Sequence, residues 1–170
     1  LYYMLSYAYQ TLNISEYKQL GTEKFDNVQE LYVEILSIGI PVLIRGGLSK
    51  DYISVEETSN VIKGKIDINA TIKKNTLVNK KVAVIYDEFS ENILLNQIIK
   101  GTLVCLSRAK KISQKKRGLV YGLLTYFTEV SDVELDLKLW KNVKYNRQNI
   151  RYQFIVDVCR YLYEQLLFDD

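Results

Sequence analysis

The stretch RGGLSKDYISVEETSNVIKGKID, residues 45–67, decides the fold class. Two glycine turns, at Gly46-Gly47 and at Gly64, bracket a segment in which exposed and apolar side chains loosely alternate. Such alternation is typical of a strand, and glycine accepts the backbone geometry of tight turns. Helical patterns lie on both sides of it. The sequence therefore predicts an α+β chain, with helices packed around a small antiparallel β-sheet or hairpin.

Two further strands complete the predicted sheet. Residues 65–72 alternate between polar and apolar side chains, which predicts a half-buried strand. Residues 80–86, KKVAVIY, are apolar on both faces, which predicts a more central strand. The first strand is expected over residues 52–58, with a turn at Asn60 or Gly64.

The helices are predicted from apolar side chains that recur with a period near 3.6 residues. We expect helices over residues 1–12, from a cap at Asn27 to residues 45–47, from a cap at Ser90, over 119–127, and from 150 to 167. Glu30 stands where a capping box requires it. The buried stripe of the second helix is predicted to be Val28, Leu31, Ile35, Ile38 and Val42. That of the third is predicted to be Leu95, Ile98, Ile99, Thr102, Leu103 and Leu106. That of the last is predicted to be Ile150, Phe154, Val158, Tyr161, Leu162 and Gln165.

Composition excludes several classes of site. The chain of 170 residues is 48% hydrophobic and 25% charged, as expected of a folded globular protein, and its net charge of +3 demands no acidic partner. It has no histidine and two widely separated cysteines, Cys105 and Cys159, which argues against a zinc site and excludes a Cys/His or Ser/His nucleophile within this chain. We expect both thiols to be buried and reduced in the cytoplasm. No apolar run reaches membrane-spanning length.

Three groups of charged residues each allow two interpretations. Asp136 and Lys138, after Glu134, match the second half of a metal-dependent nuclease motif, but a solvated edge explains them as well. A basic run is predicted either to contact DNA phosphates or to stabilise a helix C-terminus: Arg108, Lys110, Lys111, Lys115, Lys116 and Arg117. A second set offers the same two readings: Lys144, Arg147, Arg151 and Arg160, with Tyr145 and Tyr152.

The opening stretch is not a nucleotide-binding loop. Neither Arg45-Gly46-Gly47 nor Lys63-Gly64-Lys65 matches G-x-x-x-x-G-K-[ST], and neither lies between a strand and a helix in the required order. Turn chemistry is one interpretation. The other is a projecting hairpin with a cationic tip that enters a partner, since arginine recognises carboxylates, phosphates and carbonyls well.

A family resemblance narrows these alternatives. YYMLSYAY, RGGLSKDY, IKGKID, YDEFSENILLNQIIKGTL and NIRYQFIVDVCRYL occur in the order found in McrC, and together they cover most of the chain. The chain therefore resembles the N-terminal region of McrC, the partner subunit of McrBC restriction systems, which act on DNA bearing methylated cytosine. The resemblance implies one partner-binding domain over residues 1–170, with a helical base at 1–47 and 90–170 and a β insertion at about 48–88.

The resemblance also implies a function. McrC-like proteins bind a hexameric AAA+ GTPase, McrB, and stimulate its GTP hydrolysis, while a C-terminal PD-(D/E)xK nuclease region cuts DNA. This chain resembles only the first region, so we expect no catalytic site, metal or cofactor in it. GTP is expected on the partner and Mg²⁺ in the nuclease region, and modified DNA is expected to be reached through the complex. The expected contacts with the GTPase are Arg45, Lys50, Lys63 and Lys65.

Two rival hypotheses remain open at this point. The first is a DNA-binding module that uses Lys110, Lys111, Lys115, Lys116 and Arg117, and a salt titration of duplex binding would distinguish it. The second is a nuclease around Asp136 and Lys138, which would cleave methylated DNA with Mg²⁺.

Overall fold

The computed structural model describes residues 27–169. They form six α-helices: α1 (Val28–Leu43), α2 (Ile68–Lys73), α3 (Leu94–Arg108), α4 (Gln114–Leu124), α5 (Leu137–Lys141) and α6 (Gln153–Asp169). They also form strands β1 (Asp51–Ser59), β2 (Lys65–Ile66) and β3 (Val82–Ser90), and 3-10 turns at Thr76–Asn79, Thr125–Phe127 and Ile150–Tyr152. The predicted α+β class is confirmed. The predicted helix over residues 1–12 lies outside the described residues.

Contacts divide the chain into two compact units. The helical unit contains the described residues 27–49 and 94–169, and the β unit is Lys50–Ile93. In the helical unit, α1, α3, α4 and α6 pack on one another. Their shared core contains fully buried side chains from each of these elements and from the turns beside them: Leu36, Ile40, Ile98, Ile99, Leu103, Leu106, Val120, Phe127, Tyr152, Ile155 and Leu162.

Helix α1 begins at the predicted cap. The Asn27 side chain accepts a hydrogen bond from the Glu30 amide at 3.0 Å, which satisfies one of the amides that the first turn leaves without a helical partner. The Glu30 carboxylate accepts from the Ser113 amide at 3.0 Å, a contact that ties α1 to the start of α4. The predicted stripe is correct at Leu31 and Ile35.

The same stripe is wrong at three positions. Val28 is exposed and Ile38 and Val42 are half-buried, because neighbours pack on a different side of α1. The residues that are buried there besides Leu31 and Ile35 are Tyr32, Val33, Leu36, Ile40 and Leu43.

Helix α3 has the predicted buried face at all six positions. It starts at Leu94, however, so the predicted cap at Ser90 is wrong. Ser90 ends β3, and its hydroxyl accepts from the Asn92 amide at 3.1 Å, which forms a short turn before the helix.

Helices α4 and α6 differ from prediction at their edges. Helix α4 begins at Gln114, five residues before the predicted start, because residues 109–113 break the helix after Arg108. In α6 the predicted burial of Phe154, Val158 and Leu162 is confirmed. Three other predicted positions, Ile150, Tyr161 and Gln165, are exposed, since Tyr152, Ile155 and Cys159 fill the core instead.

The β unit contains a three-stranded antiparallel sheet in the order β1-β3-β2. The register runs from Asp51 opposite Ser90 to Ser59 opposite Val82. The predicted first strand and the predicted central position of the third strand are confirmed. Ala83 and Val84 of β3 are its buried strand residues.

The predicted strand over residues 65–72 is correct at Lys65 and Ile66 and wrong after them. Only Lys65–Ile66 pairs with β3, and Asp67 then caps α2 by accepting from the Ala70 amide at 2.9 Å. The Asp67 amide donates to the Ala83 carbonyl at 2.9 Å, so the ladder ends where the helix begins. The alternation of isoleucines suggested a strand, but the helix-capping aspartate decides the local structure.

Candidate partner-binding surface

The charges of the β unit are separated along its length. Residues 61–81, here called the lysine-rich end, hold six lysines and one carboxylate, Asp67, which is occupied as a helix cap. The chain enters and leaves the unit at the opposite end. There, residues 50–55 and 87–91 hold one lysine and four carboxylates, whereas Glu56 and Glu57 lie farther along β1, at the level of Lys65 and Ile66. The strand register places these two acidic segments side by side, because Asp51 lies opposite Ser90 and Ser54 opposite Asp87.

Two of the predicted contact residues lie at the lysine-rich end. The Lys63 ammonium lies 3.6 Å from the Glu57 carboxylate and 5.3 Å from the centre of the Tyr86 ring. Lys65 lies on β2 opposite Ile85 and is exposed. The structure therefore brings Lys63 and Lys65 to one region beside the middle of β3.

Gly64 fixes how closely this region approaches the sheet. Its φ angle is +64°, a conformation that glycine adopts without strain. A Cβ at this position would lie 2.3 Å from the Ile85 carbonyl oxygen and 2.7 Å from Tyr86 Cβ. The two lysines are thus carried on a turn that only glycine allows.

The other two predicted contact residues lie elsewhere. Lys50 belongs to the acidic end of the β unit, where its ammonium pairs with Glu91 at 3.3 Å. Arg45 belongs to the helical unit and is exposed in the turn after α1. The predicted set of four cations is therefore not one cluster within the β unit.

The turn that carries Arg45 continues into a tightly held segment. The hydroxyl of the buried Tyr152 accepts from the Ser49 amide at 2.8 Å, and the Asn96 side chain donates to the Ser49 carbonyl at 3.0 Å. The Arg151 guanidinium donates to the Gly47 carbonyl at 3.3 Å. Arg151 and Tyr152, which the sequence offered as possible DNA contacts, therefore have a structural role.

The first basic run is split between structural and exposed positions. The Arg117 guanidinium donates to the carbonyls of Ser107, Ala109 and Ile112 at 2.6, 3.0 and 3.3 Å. It thereby satisfies carbonyls that the end of α3 and the following connection leave without helical partners. The half-buried Lys116 pairs with Glu34 of α1. The predicted stabilisation of a helix C-terminus is thus observed for Arg117. The arginine belongs to α4 and stabilises the end of α3.

The remaining lysines of the run are exposed. Lys110 and Lys111 line an open pocket of about 370 Å³ with Cys105, Arg108 and Tyr163. Lys115 is exposed in the first turn of α4. Of the predicted DNA contacts, these three lysines are the ones that a partner can reach.

Asp136 and Lys138 have the geometry of a helix cap. The Asp136 carboxylate accepts from the Lys138 amide at 3.1 Å at the start of α5, and both side chains are exposed. Their charged atoms are 3.9 Å apart. Within residues 27–169, no three His, Cys, Asp or Glu side chains are grouped as a metal ion would require.

Several features of the lysine-rich end escaped the sequence analysis. Four more lysines, Lys73, Lys74, Lys80 and Lys81, are exposed there. Large apolar side chains are exposed there as well: Val61, Ile62, Ile66, Ile68, Ile72, Leu77 and Val78. The interleaving of lysines with aliphatic residues was a visible signal, but the predicted strand assigned these isoleucines to the core.

Comparison with known proteins identifies the family. The family described as McrBC 5-methylcytosine restriction system component matches residues 1–170. The chain belongs to this family. The resemblance drawn from the sequence motifs is thereby confirmed, and the chain is a component of an McrBC restriction system.

One curated relative is the type IV methyl-directed restriction enzyme EcoKMcrBC of Escherichia coli strain K12. It is 29% identical over 164 residues, which cover 95% of this chain and 47% of the relative. The chain thus spans about half the length of this relative. In the described part of the chain, the helices are too short or too polar to cross a membrane.

Two solved structures share the fold. The cryo-EM structure of the Thermococcus gammatolerans McrBC complex matches with a TM-score of 0.64 and 19% identity, over 96% of this chain and 54% of that one. A refined half-complex from a tetradecameric assembly of McrB AAA+ hexamers with bound McrC, also from T. gammatolerans, matches with a TM-score of 0.65 and 19% identity. The match covers 92% of this chain and 38% of that one.

Proposed function

We propose that this chain is the non-catalytic N-terminal part of an McrC-like subunit, which binds an McrB-like AAA+ GTPase ring and stimulates its GTP hydrolysis. The observation that carries the proposal is the lysine-rich end of the β unit, with six lysines and one carboxylate. Family membership supports this class of partner, since a solved assembly that matches this fold contains McrB hexamers with bound McrC.

A single subunit that binds a six-membered ring cannot make the same contacts with every ring subunit. A compact unit whose polar, flexible lysine side chains surround one end suits such unequal contacts. Lysine ammonium groups on long stems can pair with carboxylates in several positions, whereas a bidentate arginine requires one geometry.

Stimulation would follow from differential binding. If the lysine-rich end binds the catalytically competent arrangement of ring subunits more tightly than the others, binding shifts the population toward that arrangement. In this proposal the reacting groups, GTP and its Mg²⁺ belong to the ring. DNA cleavage belongs to a nuclease region outside this chain, and the complex acts in the cytoplasm on modified DNA.

The capping geometry of Asp136 and Lys138 supports a non-catalytic role for this chain. A metal-bound carboxylate must present oxygens to the ion, but one oxygen of Asp136 already accepts from the Lys138 amide. Incubation of the chain with Mg²⁺ and methylated DNA should therefore leave the DNA intact. Cleavage that is lost on Asp136→Asn would contradict this part of the proposal.

Binding is tested by mixing the chain with its cognate McrB-like GTPase and GTP, and by measuring complex formation by sedimentation velocity. We expect Lys63→Glu/Lys65→Glu to weaken binding by about tenfold or more, because it places carboxylates where the partner is expected to have them. Lys110→Glu/Lys115→Glu is the matched control and should bind as the wild type does. If the wild-type chain fails to bind, or if both variants bind equally well, the proposal is wrong.

A further inference from the structure

Helix α2 buries a polar side chain and exposes apolar ones. Its buried residue is Thr71, whereas Ile68 and Ile72, one turn apart on the same face, are 67% and 66% exposed. A helix on a protein surface normally buries its apolar face. Here the sheet requires the threonine, because the Thr71 hydroxyl accepts from the Ala83 amide at 2.9 Å and donates to the Asp67 carbonyl at 2.7 Å.

The 3-10 turn at Thr76–Asn79 repeats the arrangement. Thr76 is buried and its hydroxyl lies 3.4 Å from the Thr71 carbonyl, while Leu77 and Val78 are 60% and 74% exposed. Thr71 thus attaches α2 to β3, Thr76 attaches the 3-10 turn to α2, and both elements leave aliphatic side chains in solvent. Ile68, Ile72, Leu77 and Val78 are together called the outward aliphatic set.

Lysines surround this set in the sequence. Lys73 and Lys74 follow Ile72, and Lys80 and Lys81 follow Val78. All four lysine side chains are exposed, and the carboxylate of this segment, Asp67, is occupied as the cap of α2. The surface therefore combines aliphatic side chains with uncompensated positive charge.

The chemistry of the surface favours a protein partner over a nucleic acid or a lipid membrane. DNA phosphates attract lysines but offer nothing that buries four aliphatic side chains. Membrane-surface helices use longer apolar faces that include aromatic residues. Helix α2 has six residues, and residues 61–81 contain no aromatic residue. Charge complementarity requires acidic side chains on the partner.

We propose that the outward aliphatic set anchors the β unit in an apolar groove of the GTPase ring, and that carboxylates at the edge of this groove pair with Lys73, Lys74, Lys80 and Lys81. The inference rests on the proposed function and adds to it the chemistry of the binding site. The apolar contacts hold the complex together, since they are desolvated on binding. The lysines guide the encounter, since long-range charge attraction acts mainly on association rates.

The two roles give separate kinetic signatures. Ile68→Ser/Ile72→Ser should raise the dissociation rate from the ring on the order of a hundredfold with little change in the association rate. Lys73→Gln/Lys74→Gln/Lys80→Gln/Lys81→Gln should lower the association rate at low salt, and this effect should fade as salt screens the charges.

The test is surface plasmon resonance with the immobilised cognate GTPase ring, at 50 mM and 500 mM salt. Ile150→Ser is the matched control, because Ile150 is 52% exposed in the helical unit. Circular dichroism should show native helix content for every variant used.

A dissociation rate equal to that of the wild type for the Ile68→Ser/Ile72→Ser variant would overturn the inference while leaving the proposed function intact. No binding by the wild-type chain would overturn both. Loss of binding for the Ile150→Ser variant to the same extent would also overturn it.

Duplex DNA and anionic vesicles are tested in parallel with the same variants. We expect neither to distinguish the Ile68→Ser/Ile72→Ser variant from the wild type. If vesicles of phosphatidylserine bind the wild-type chain and release this variant, the outward aliphatic set serves a membrane and the inference is wrong.

Discussion

At the residue scale, positions that look alike in the sequence differ in what surrounds them. Gly47 and Gly64 both have positive φ angles, of 89° and 64°. Nothing lies within 4 Å of a Cβ added at Gly47, but a Cβ at Gly64 would overlap the β3 backbone. The sequence predicted that both positions were turns, and it could not show that one of them is packed against a strand.

Gly64→Ala should therefore destabilise the protein much more than Gly47→Ala. The first change adds a steric overlap to an unfavourable φ angle and should cost roughly 3 kcal/mol, whereas the second should cost about 1 kcal/mol. Urea denaturation of the two variants measures the difference. Equal free energies of unfolding would show that Gly64 does not pack on β3 as described.

The two thiols should react very differently. Burial raises the pKa of the Cys159 thiol to about 12, so this thiol is protonated and inaccessible near neutral pH. Burial also raises the pKa of the half-buried Cys105. With a disulfide reagent at pH 8, we expect slow modification of Cys105 and modification of Cys159 only after denaturation. Mass spectrometry of native and denatured samples identifies the modified residue, and rapid modification of Cys159 in the native protein would contradict its burial.

The Glu30 carboxylate should make stability depend on pH. Hydrogen bonds from the Ser113 hydroxyl and amide lower the pKa of Glu30, and Lys116 lowers it further. A carboxylate with a lowered folded-state pKa stabilises the protein above its ordinary pKa of 4.5, and this contribution is lost as the pH falls through the folded value. Glu30→Gln should therefore be less stable than the wild type at pH 7, with the difference shrinking in acid. A difference that is the same at pH 7 and pH 3 would contradict this assignment.

At the element scale, the sequence-based predictions were correct for elements whose apolar face packs against a core. They were wrong where the apolar side chains of an element are exposed. All six predicted buried positions of α3 are buried, because helices cover one side of it. The strand predicted over residues 65–72 was wrong after Ile66, because Ile68 and Ile72 are exposed and their spacing therefore does not indicate a buried face. The signal that could have found α2 is Asp67 as a cap, followed by isoleucines four residues apart.

The basic run at residues 108–117 is a second case in which the sequence pattern does not predict which side chains are exposed. Lysine and arginine at positions 108–117 could be read as one cationic face, but Arg117 and Lys116 turn toward α3 and α1. No pattern of charges in the sequence distinguishes these two from the exposed Lys115, because the distinction depends on how three helices pack.

Arg117→Gln should consequently reduce stability, by about 2–3 kcal/mol, because a charged donor to three carbonyls is lost. Lys115→Gln, two residues away and exposed, should change the free energy of unfolding by less than about 0.5 kcal/mol. Thermal and urea denaturation measure both variants. If Lys115→Gln proved as destabilising as Arg117→Gln, the packing of α4 against the end of α3 would be wrong.

At the scale of the whole molecule, the chain separates a structural part from a part with exposed chemistry. The described part of the helical unit buries most of its apolar side chains, and its partly buried Lys116 and Glu34 pair with each other. The β unit exposes aliphatic residues and six lysines at one end. Composition could not reveal this, since the β unit has seven lysines and seven carboxylates and is neutral overall. The strand register shows that four of the carboxylates lie at the end where the chain enters and leaves the unit, while Glu56 and Glu57 lie at the level of Lys65 and Ile66.

The central claim is that this chain stimulates an McrB-like GTPase through the lysine-rich end of its β unit. The most direct test is the rate of GTP hydrolysis by the cognate ring with a saturating amount of the chain, compared between the wild type and Lys63→Glu/Lys65→Glu. We predict that the wild-type chain raises the rate above that of the ring alone, and that the variant at the same concentration raises it much less. An unchanged rate with the wild-type chain, or equal stimulation by the two, would contradict the claim.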